Sequence, residues 1–176
     1  MNGNNMIITR PYESPCGTLI LGSSGEQLCL CDWQVERHRD HVCRRLQRML
    51  GAGFAHGASS VIDRATVQLD EYFAGKRRQF DVPLLFVGTD FQKKVWNALR
   101  AIPFGTTVSY GEMARTIGMP KAVRAVANAN GANSISIFAP CHRVIGSDHT
   151  LTGYGGGLAA KEYLLRLETA KVLSIN

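Results

Sequence analysis

The sequence predicts an α+β protein, a small β-sheet domain followed by a helical one, and three observations carry that prediction. The first half opens with strand-like apolar runs and then gives two amphipathic helical patterns. From Thr89 onward helical periodicity dominates, and two short helices stand a tight turn apart, the spacing of a helix-turn-helix. The composition, 45% hydrophobic and 19% charged over 176 residues, is that of a globular chain. The change of texture divides the chain into an N-terminal α/β support domain, 1–88, and a C-terminal domain, 89–176.

Taken in order, "TLILGS" follows the turn residues "SPCG", and "QLCLCDW" makes the next strand. Strand alternation puts Cys29 and Cys31 on one face, as two small core residues rather than metal ligands. "VERHRDHVCRRLQRML" has apolar residues at 35, 42, 46, 49 and 50, and "SVIDRATVQLDEYFAG" has them at 61, 62, 65, 69, 72 and 73, closed by Gly75. "GAGFAHGASS" between them reads as a loop, and "KRRQFDVPLLFVGTD" as a further strand and connector. In the second half "TDFQKKVWNALRAI" carries Phe91, Val95, Trp96, Leu99 and Ile102 on one stripe, with Thr89 or Asp90 as its cap. A turn and short strand, "PFGTTVSY", lead into "YGEMARTIG", a helix stopped by Gly118. "MPKAVRAVANANG" starts at Pro120 and places Ala122, Ala125 and Ala129 on one face, small enough for DNA or a neighbouring helix to approach closely. "ISIFAPCHRVIG" is strand-like but broken by Pro140; "TGYGGG" is a loop; "LAAKEYLLRLETAKV" turns Leu164, Leu165 and Leu167 toward the core.

The net charge of +6 is unevenly spread: residues 1–88 carry ten Lys/Arg against nine Asp/Glu, residues 89–176 ten against five. A basic second half fits a polyanionic partner or an ordinary basic surface. No run reaches the roughly 18 apolar residues of a membrane helix, and the N-terminus lacks a signal-peptide pattern. A cytoplasmic protein is expected, nuclear if eukaryotic. Five cysteines, at 16, 29, 31, 43 and 141, form no paired framework, so free thiols in a reducing compartment are expected. His38, His41 and Cys43 lack a second close ligand pair, and no metal or cofactor is expected.

The chemistry concentrates at "PCHRV". A thiol with a pKa near roughly 8.5 is only slightly ionised at neutral pH, so a nucleophilic Cys141 needs a base, and the base an orienting group. His142 is adjacent, which in a strand would point it to the opposite face, but Pro140 can start a turn that removes the objection. Arg143 adds a positive charge. The orienting carboxylate has five candidates in this half: Asp90, Glu112, Asp148, Glu162 and Glu168. On these residues alone a nucleophile and a buried structural thiol both stand.

"PCHRVIG", then "LTGYGGG", then a helix with Lys161 and Glu168, resembles the O6-alkylguanine-DNA alkyltransferases (methylated-DNA–protein-cysteine methyltransferases). "GTDFQKKVWNALRAIPFGTTVSYGEMA", "KAVRAVANANGANSISI", "SPCG" and "DEYFAG" are similar in style and order, whereas residues 30–60 add almost nothing. The resemblance implies a ribonuclease-H-like N-terminal sheet domain and a winged-helix C-terminal domain that binds DNA and accepts the alkyl group. It implies single-turnover, irreversible transfer of an alkyl group from O6-alkylguanine, or O4-alkylthymine, in double-stranded DNA to Cys141. His142 would be the base, acting through a water, with Glu168 orienting it and Asn133 bracing the turn. Tyr110 would donate a proton toward the leaving guanine, with Lys161 beside the pocket. Val144, Leu151, Tyr154 and Gly155 would line that pocket. Arg124 would fill the stack vacated by a flipped base, with Ala122, Ala125, Ala129, Tyr110 and Ser147 against the DNA.

Three positions depart from the family pattern: Ala139, where a larger aliphatic is common; His149, where glycine is frequent; and Gly155, where serine or alanine is frequent. The last predicts a roomier pocket, tolerant of groups larger than methyl. A monomer is expected, with cooperativity on DNA open. The alternatives are a module that recognises alkylated bases without removing the adduct, and a plain winged-helix DNA binder with a structural Cys141.

Overall fold

The computed structural model describes residues 5–173. Strands β1 (Met6–Ser14), β2 (Gly17–Ser24) and β3 (Gln27–Trp33) form an antiparallel meander. Helix α1 (Glu36–Leu50) then returns the chain to β4 (Gly53–His56), parallel to β1, giving the order β3-β2-β1-β4. Helix α2 (Ser60–Phe73) follows. Val61, Ile62, Ala65, Leu69 and Tyr72 of α2 pack on Leu19, Leu21, Leu28 and Trp33, while Val42 and Leu46 of α1 pack with Ile7, Cys29 and Leu30. The sheet is therefore covered by helices on both faces, as its mixed burial patterns require.

Several expectations are corrected here. The sequence reading missed β1, because Pro11 and scattered polar residues break its alternation. Pro11 lies past the last β1–β4 pair, Thr9 with His56, so its missing N–H costs no bond to β4. Residues 53–56 are a strand and not a loop; four residues between turn signals are too few to show a period. The stretch predicted as a strand near 80–87 is irregular and makes one parallel bridge, Leu28 with Leu84. Cys29 and Cys31 do not share a face. A register shift at Gly22/Ser23 inserts one extra residue in β3, which turns Cys31 to the α2 side with Leu28 and Trp33 and leaves Cys29 on the α1 side.

Helix α3 (Asp90–Leu99) starts on a capping box between Thr89 and Gln92 and buries Val95, Trp96 and Leu99. Strand β5 (Val108–Ser109) leads into α4 (Tyr110–Thr116), itself capped by Ser109 with Glu112, and Gly118 at φ +75° turns the chain. Helix α5 (Val123–Gly131) begins three residues after Pro120 and has no side-chain cap at Ala122. Its other end is held from outside: Trp96 Nε1 donates to Ala129 O at 2.7 Å, Arg45 Nη2 to Ala132 O at 2.7 Å, and the Arg45 guanidinium lies over the Trp96 ring. Helix α6 (Leu158–Leu173) fully buries Leu164, whereas Leu165 and Leu167 are half-buried; Lys161 and Glu168 take the core-facing places instead.

The joint between the halves lies at β3, whose outer edge is filled by two other segments. Leu28 and Leu85 exchange bonds with residues 83 and 28, and Cys31 N–H donates to Ser134 O while Ser136 N–H donates to Cys31 O, each at 2.8 Å. The segment leading to Cys141 is thus hooked onto the N-terminal sheet. The loop beyond it rests on β3 as well: a Cβ on Gly156 would stand 2.5 Å from the Trp33 ring, whose side chain is buried. We predict that Gly156→Ala destabilises the protein by about 1–3 kcal/mol. Gly153→Ala, with nothing within 4 Å of the added carbon, is expected to shift it by less than about 0.5 kcal/mol. Urea midpoints of the two variants check this.

Candidate active site

No strand delivers Cys141. The chain from Asn133 to Arg143 is a series of tight turns, which is why the strand-like apolar run pairs through a single bridge, Ile135 with Cys31. Asn133 is the brace: its Nδ2 donates to Ala139 O at 2.9 Å and its Oδ1 accepts from Ile135 N–H at 3.0 Å. Between these anchors Ile137 sits at φ +73° with Phe138 N–H bonded to Ser136 O at 2.9 Å, the rarer, strained form of γ-turn. A β-branched residue there costs on the order of 1–3 kcal/mol. Pro140, at φ −79° and ψ 68°, then centres an inverse γ-turn closed by Cys141 N–H to Ala139 O at 2.8 Å. Ala139 is fully buried within these turns, so its small side chain suits the packing and loosens no strand.

Cys141–Arg143 then form one turn of 3₁₀ helix, which throws the thiol and the imidazole to neighbouring sides of one coil. The turn is locked downstream by β6 (Val144–Ile145), parallel to β5. Asn130 Nδ2 reaches Cys141 O at 3.4 Å from α5.

Of the five candidate carboxylates, Glu168 is the one brought here. Its Oε1 lies 2.8 Å from His142 Nε2, and Arg143 donates through Nε at 3.0 Å and Nη2 at 2.9 Å to its two oxygens. Tyr72 Oη donates to Oε1 at 2.9 Å. Burial alone would raise the Glu168 carboxyl, but the hydrogen bonds and charges of His142 and Arg143 outweigh it and hold the group at about 2. Burial lowers the His142 pKa below its usual 6.5 against the pull of Glu168, so the imidazole is neutral at pH 7. With Nε2 engaged, Nδ1 is buried without a partner among the described residues and is the nitrogen free to take a proton. Burial also pushes the Cys141 thiol up, partly offset by Asn133, Lys161 and Ser136, so the resting group is SH. Arg143 is engaged by Glu168 and by Ile102 O, at 2.7 Å, and makes no hydrogen bond to the thiol among the described residues.

Lys161 is wholly buried, donating to Val144 O at 2.7 Å and Thr152 O at 2.9 Å, which ties the 146–153 loop to α6. Val144 is buried in the core, while Leu151 is half-buried in that loop. Tyr110 Oη meets Thr152 Oγ1 at 2.9 Å, and Tyr110 and Ser147 line a cleft of about 860 Å³ between α5 and the loop. A second, much smaller cavity of about 10 Å³ holds Cys141, with Tyr154, Gly155, Asn133, Ser136 and His38. Asn130, Gly131 and Gly153 line both, so the large cleft and the thiol's cavity lie side by side.

The alanine stripe of α5 is not one outward face. Ala129 is buried against Trp96, Ala122 is the half-buried cap and Ala125 is exposed, because the helix turns Val126 and Ala129 to the core. Arg124 is exposed beside Val123, and Ala127 and Asn128 look into the cleft. Nor is the pocket roomier for having Gly155: a Cβ there would stand 2.8 Å from His38 Nε2, so the imidazole occupies that space. Sequence reasoning weighed His38 only as a metal ligand and did not single out Asp32 or Asn130. The first two lie in the stretch without family resemblance, and Asn130 hid within a helix. Among the described residues no three His, Cys, Asp or Glu side chains are grouped to hold a metal ion, and no helix is long and apolar enough to cross a membrane.

Residues 90–170 match the family described as 6-O-methylguanine DNA methyltransferase, DNA binding domain, and residues 7–86 its ribonuclease-like domain. A methylated-DNA–protein-cysteine methyltransferase of Methanosarcina acetivorans is 59% identical over 157 residues, 89% of this chain and 95% of that protein. One from Mycobacterium tuberculosis is 45% identical over 169 residues, 94% of each. The crystal structure of the Mycobacterium tuberculosis O6-methylguanine methyltransferase superposes with a TM-score of 0.79 at 43% identity, covering 97% of this chain and 100% of that one. The same organism's OGT, crystallised in complex with DNA, gives 0.78 over 94% of each chain. With both halves matched in order and the relatives aligned nearly end to end, the chain belongs to the methylated-DNA–protein-cysteine methyltransferase family.

Proposed function

We propose that this protein repairs DNA by direct reversal, moving the alkyl group of an O6-alkylguanine onto its own Cys141. The observation that carries the reading is the line from Cys141 through His142 to Glu168, buried beside the α5 cleft with Asn130, Gly131 and Gly153 as the shared wall. Neutral His142, its Nε2 hydrogen engaged by Glu168, takes the thiol proton at Nδ1 through a water. The thiolate attacks the alkyl carbon, the carbon–O6 bond breaks, and its electron pair stays with the guanine, toward which Tyr110 donates from across the cleft. The thioether has no leaving group that the site can expel, so each molecule acts once. The partner is double-stranded DNA, and the protein works in the cytoplasm as a monomer.

A guanine within a duplex cannot reach a buried thiol, so the nucleotide must rotate out, at a cost of a few kcal/mol. Arg124, exposed on α5, is placed to fill the vacated stack, with Ala122, Ala125 and Val123 lying against the minor groove. Lys161, by tying Val144 and Thr152 together, keeps the cleft wall in place.

Incubation with duplex DNA carrying O6-methylguanine, followed by peptide mass mapping, is expected to place a methyl group on the Cys141 peptide and none in Cys141→Ala. An unmodified Cys141 with intact binding overturns the reading. Arg124→Ala is expected to slow repair in duplex DNA by ~10-fold or more, since ~1.4 kcal/mol of lost flipping energy is a factor of ten. It should leave transfer from a free base analogue unchanged, and equal loss on both would make Arg124 structural.

Glu168→Gln leaves the Arg143 guanidinium buried without its charge partner and is expected to cost about 3–5 kcal/mol of stability, read from urea midpoints at pH 7. Because the folded-state value, about 2, lies below the ordinary 4.5, the carboxylate's contribution is present above pH 4.5 and is lost as pH falls toward 2. The wild-type midpoint should drop through that window more than the variant's.

A further inference from the structure

One residue of the N-terminal half, His38, lines the thiol's pocket and a second, Asp32, holds it there, neither with a part in the reaction above. Asp32, at the end of β3, is 1% exposed, and His38, in the first turn of α1, is 22% exposed with its Nε2 3.1 Å from Asp32 Oδ1. Asp32 is the ring's hydrogen-bond partner among the described residues, and the other carboxylate oxygen, Oδ2, is buried without one. The ring lies flush on the backbone of Gly155: a Cβ added there would meet Nε2 at 2.8 Å and Cδ2 at 3.0 Å. It also lines the same cavity as Cys141, and what it leaves free is about 10 Å³, the measure of a single water-sized group.

We propose that His38 is a specificity-determining residue: its imidazole, tethered by Asp32, fills the far side of the thiol's pocket and limits the alkyl group accepted to about the size of methyl. The inference rests on the transfer reading given above. The division of space supports it. The α5 cleft, at about 860 Å³, has room for a purine, whereas the cavity that must hold the group being transferred has room for one carbon. Glycine at 155 is what lets the ring lie so close, since any side chain there would push it away. Size selection is then set by a helix of the N-terminal half, across the joint from the chemistry. A missing or extra methylene in such a pocket is worth ~10-fold or more in rate, so removing a whole ring should show plainly.

The test compares wild type, His38→Ala and His38→Phe on duplexes carrying O6-methylguanine or O6-benzylguanine, with alkylation of the Cys141 peptide followed by mass. The benzyl-to-methyl rate ratio is expected to rise by at least ~10-fold in His38→Ala and to rise clearly less in His38→Phe, which keeps the bulk but loses the tether to Asp32. An unchanged ratio in His38→Ala, or an equal fall of both rates, overturns the proposal. A second arm needs no DNA: labelling of Cys141 by methyl against benzyl methanethiosulfonate, two reagents of one chemistry and different size. His38→Ala should speed the benzyl reagent selectively, and Asp32→Ala should do so in part by releasing the ring; equal labelling by both reagents in all variants overturns the proposal. If wild type accepts neither alkyl group from DNA, the repair reading fails, and the reagent pair still decides the role of His38.

Discussion

Everything near the thiol is arranged around one buried carboxylate. Taking a Glu side chain to 1% exposure costs several kcal/mol unless its charge and lone pairs are answered. Glu168 is answered by three different parts of the chain: Tyr72 from α2, Arg143 and His142 from the 3₁₀ turn, and through Arg143 the carbonyl of Ile102 after α3. If any of these shifts, the charge is left exposed to a medium that cannot solvate it. The requirement to keep Glu168 ionised therefore fixes α6, the active-site turn and α2 relative to one another. It also decides which imidazole nitrogen is left without a partner among the described residues.

Much of this arrangement was legible in the sequence where the signal is local. Thr89 announced the start of α3 and Gly118 the end of α4 because caps and positive-φ glycines act within one turn. The periodicity of α2 was plain because Val61, Ile62, Ala65, Leu69 and Tyr72 all face one sheet. What could not be read are pairings between distant positions. Glu168 is 26 residues from His142, and no spacing rule separates it from four other carboxylates; only the family resemblance singled it out. The bulge in β3 reversed Cys29, and it shows only in the pairing with β2, opposite Gly22/Ser23. The small residues of α5 were seen, but Ala129 faces Trp96 because α3 lies there, which the helix's own sequence does not encode.

The segment between Asn133 and Cys141 misled for another reason. "ISIFAP" has the composition of a strand, yet Ile137 takes a positive φ and the run folds into γ-turns. Here local preference loses to tertiary bonds, those of Cys31 with Ser134 and Ser136 and those of Asn133 with Ile135 and Ala139. The strain stored at Ile137 is held by Asn133 and by the sheet edge at β3. That gives the N-terminal half a part in the site beyond bulk support.

Helix α5 is fastened unevenly, with its last carbonyls gripped by Trp96 and Arg45 and its first turn uncapped. Such a helix works as a lever on a fixed pivot. Its free tip carries Val123 and Arg124, while its root carries Asn130, which touches the Cys141 carbonyl. Displacements shrink toward the pivot, so if the tip meets DNA as proposed, what it does there reaches Asn130 weakened along a helix of nine residues.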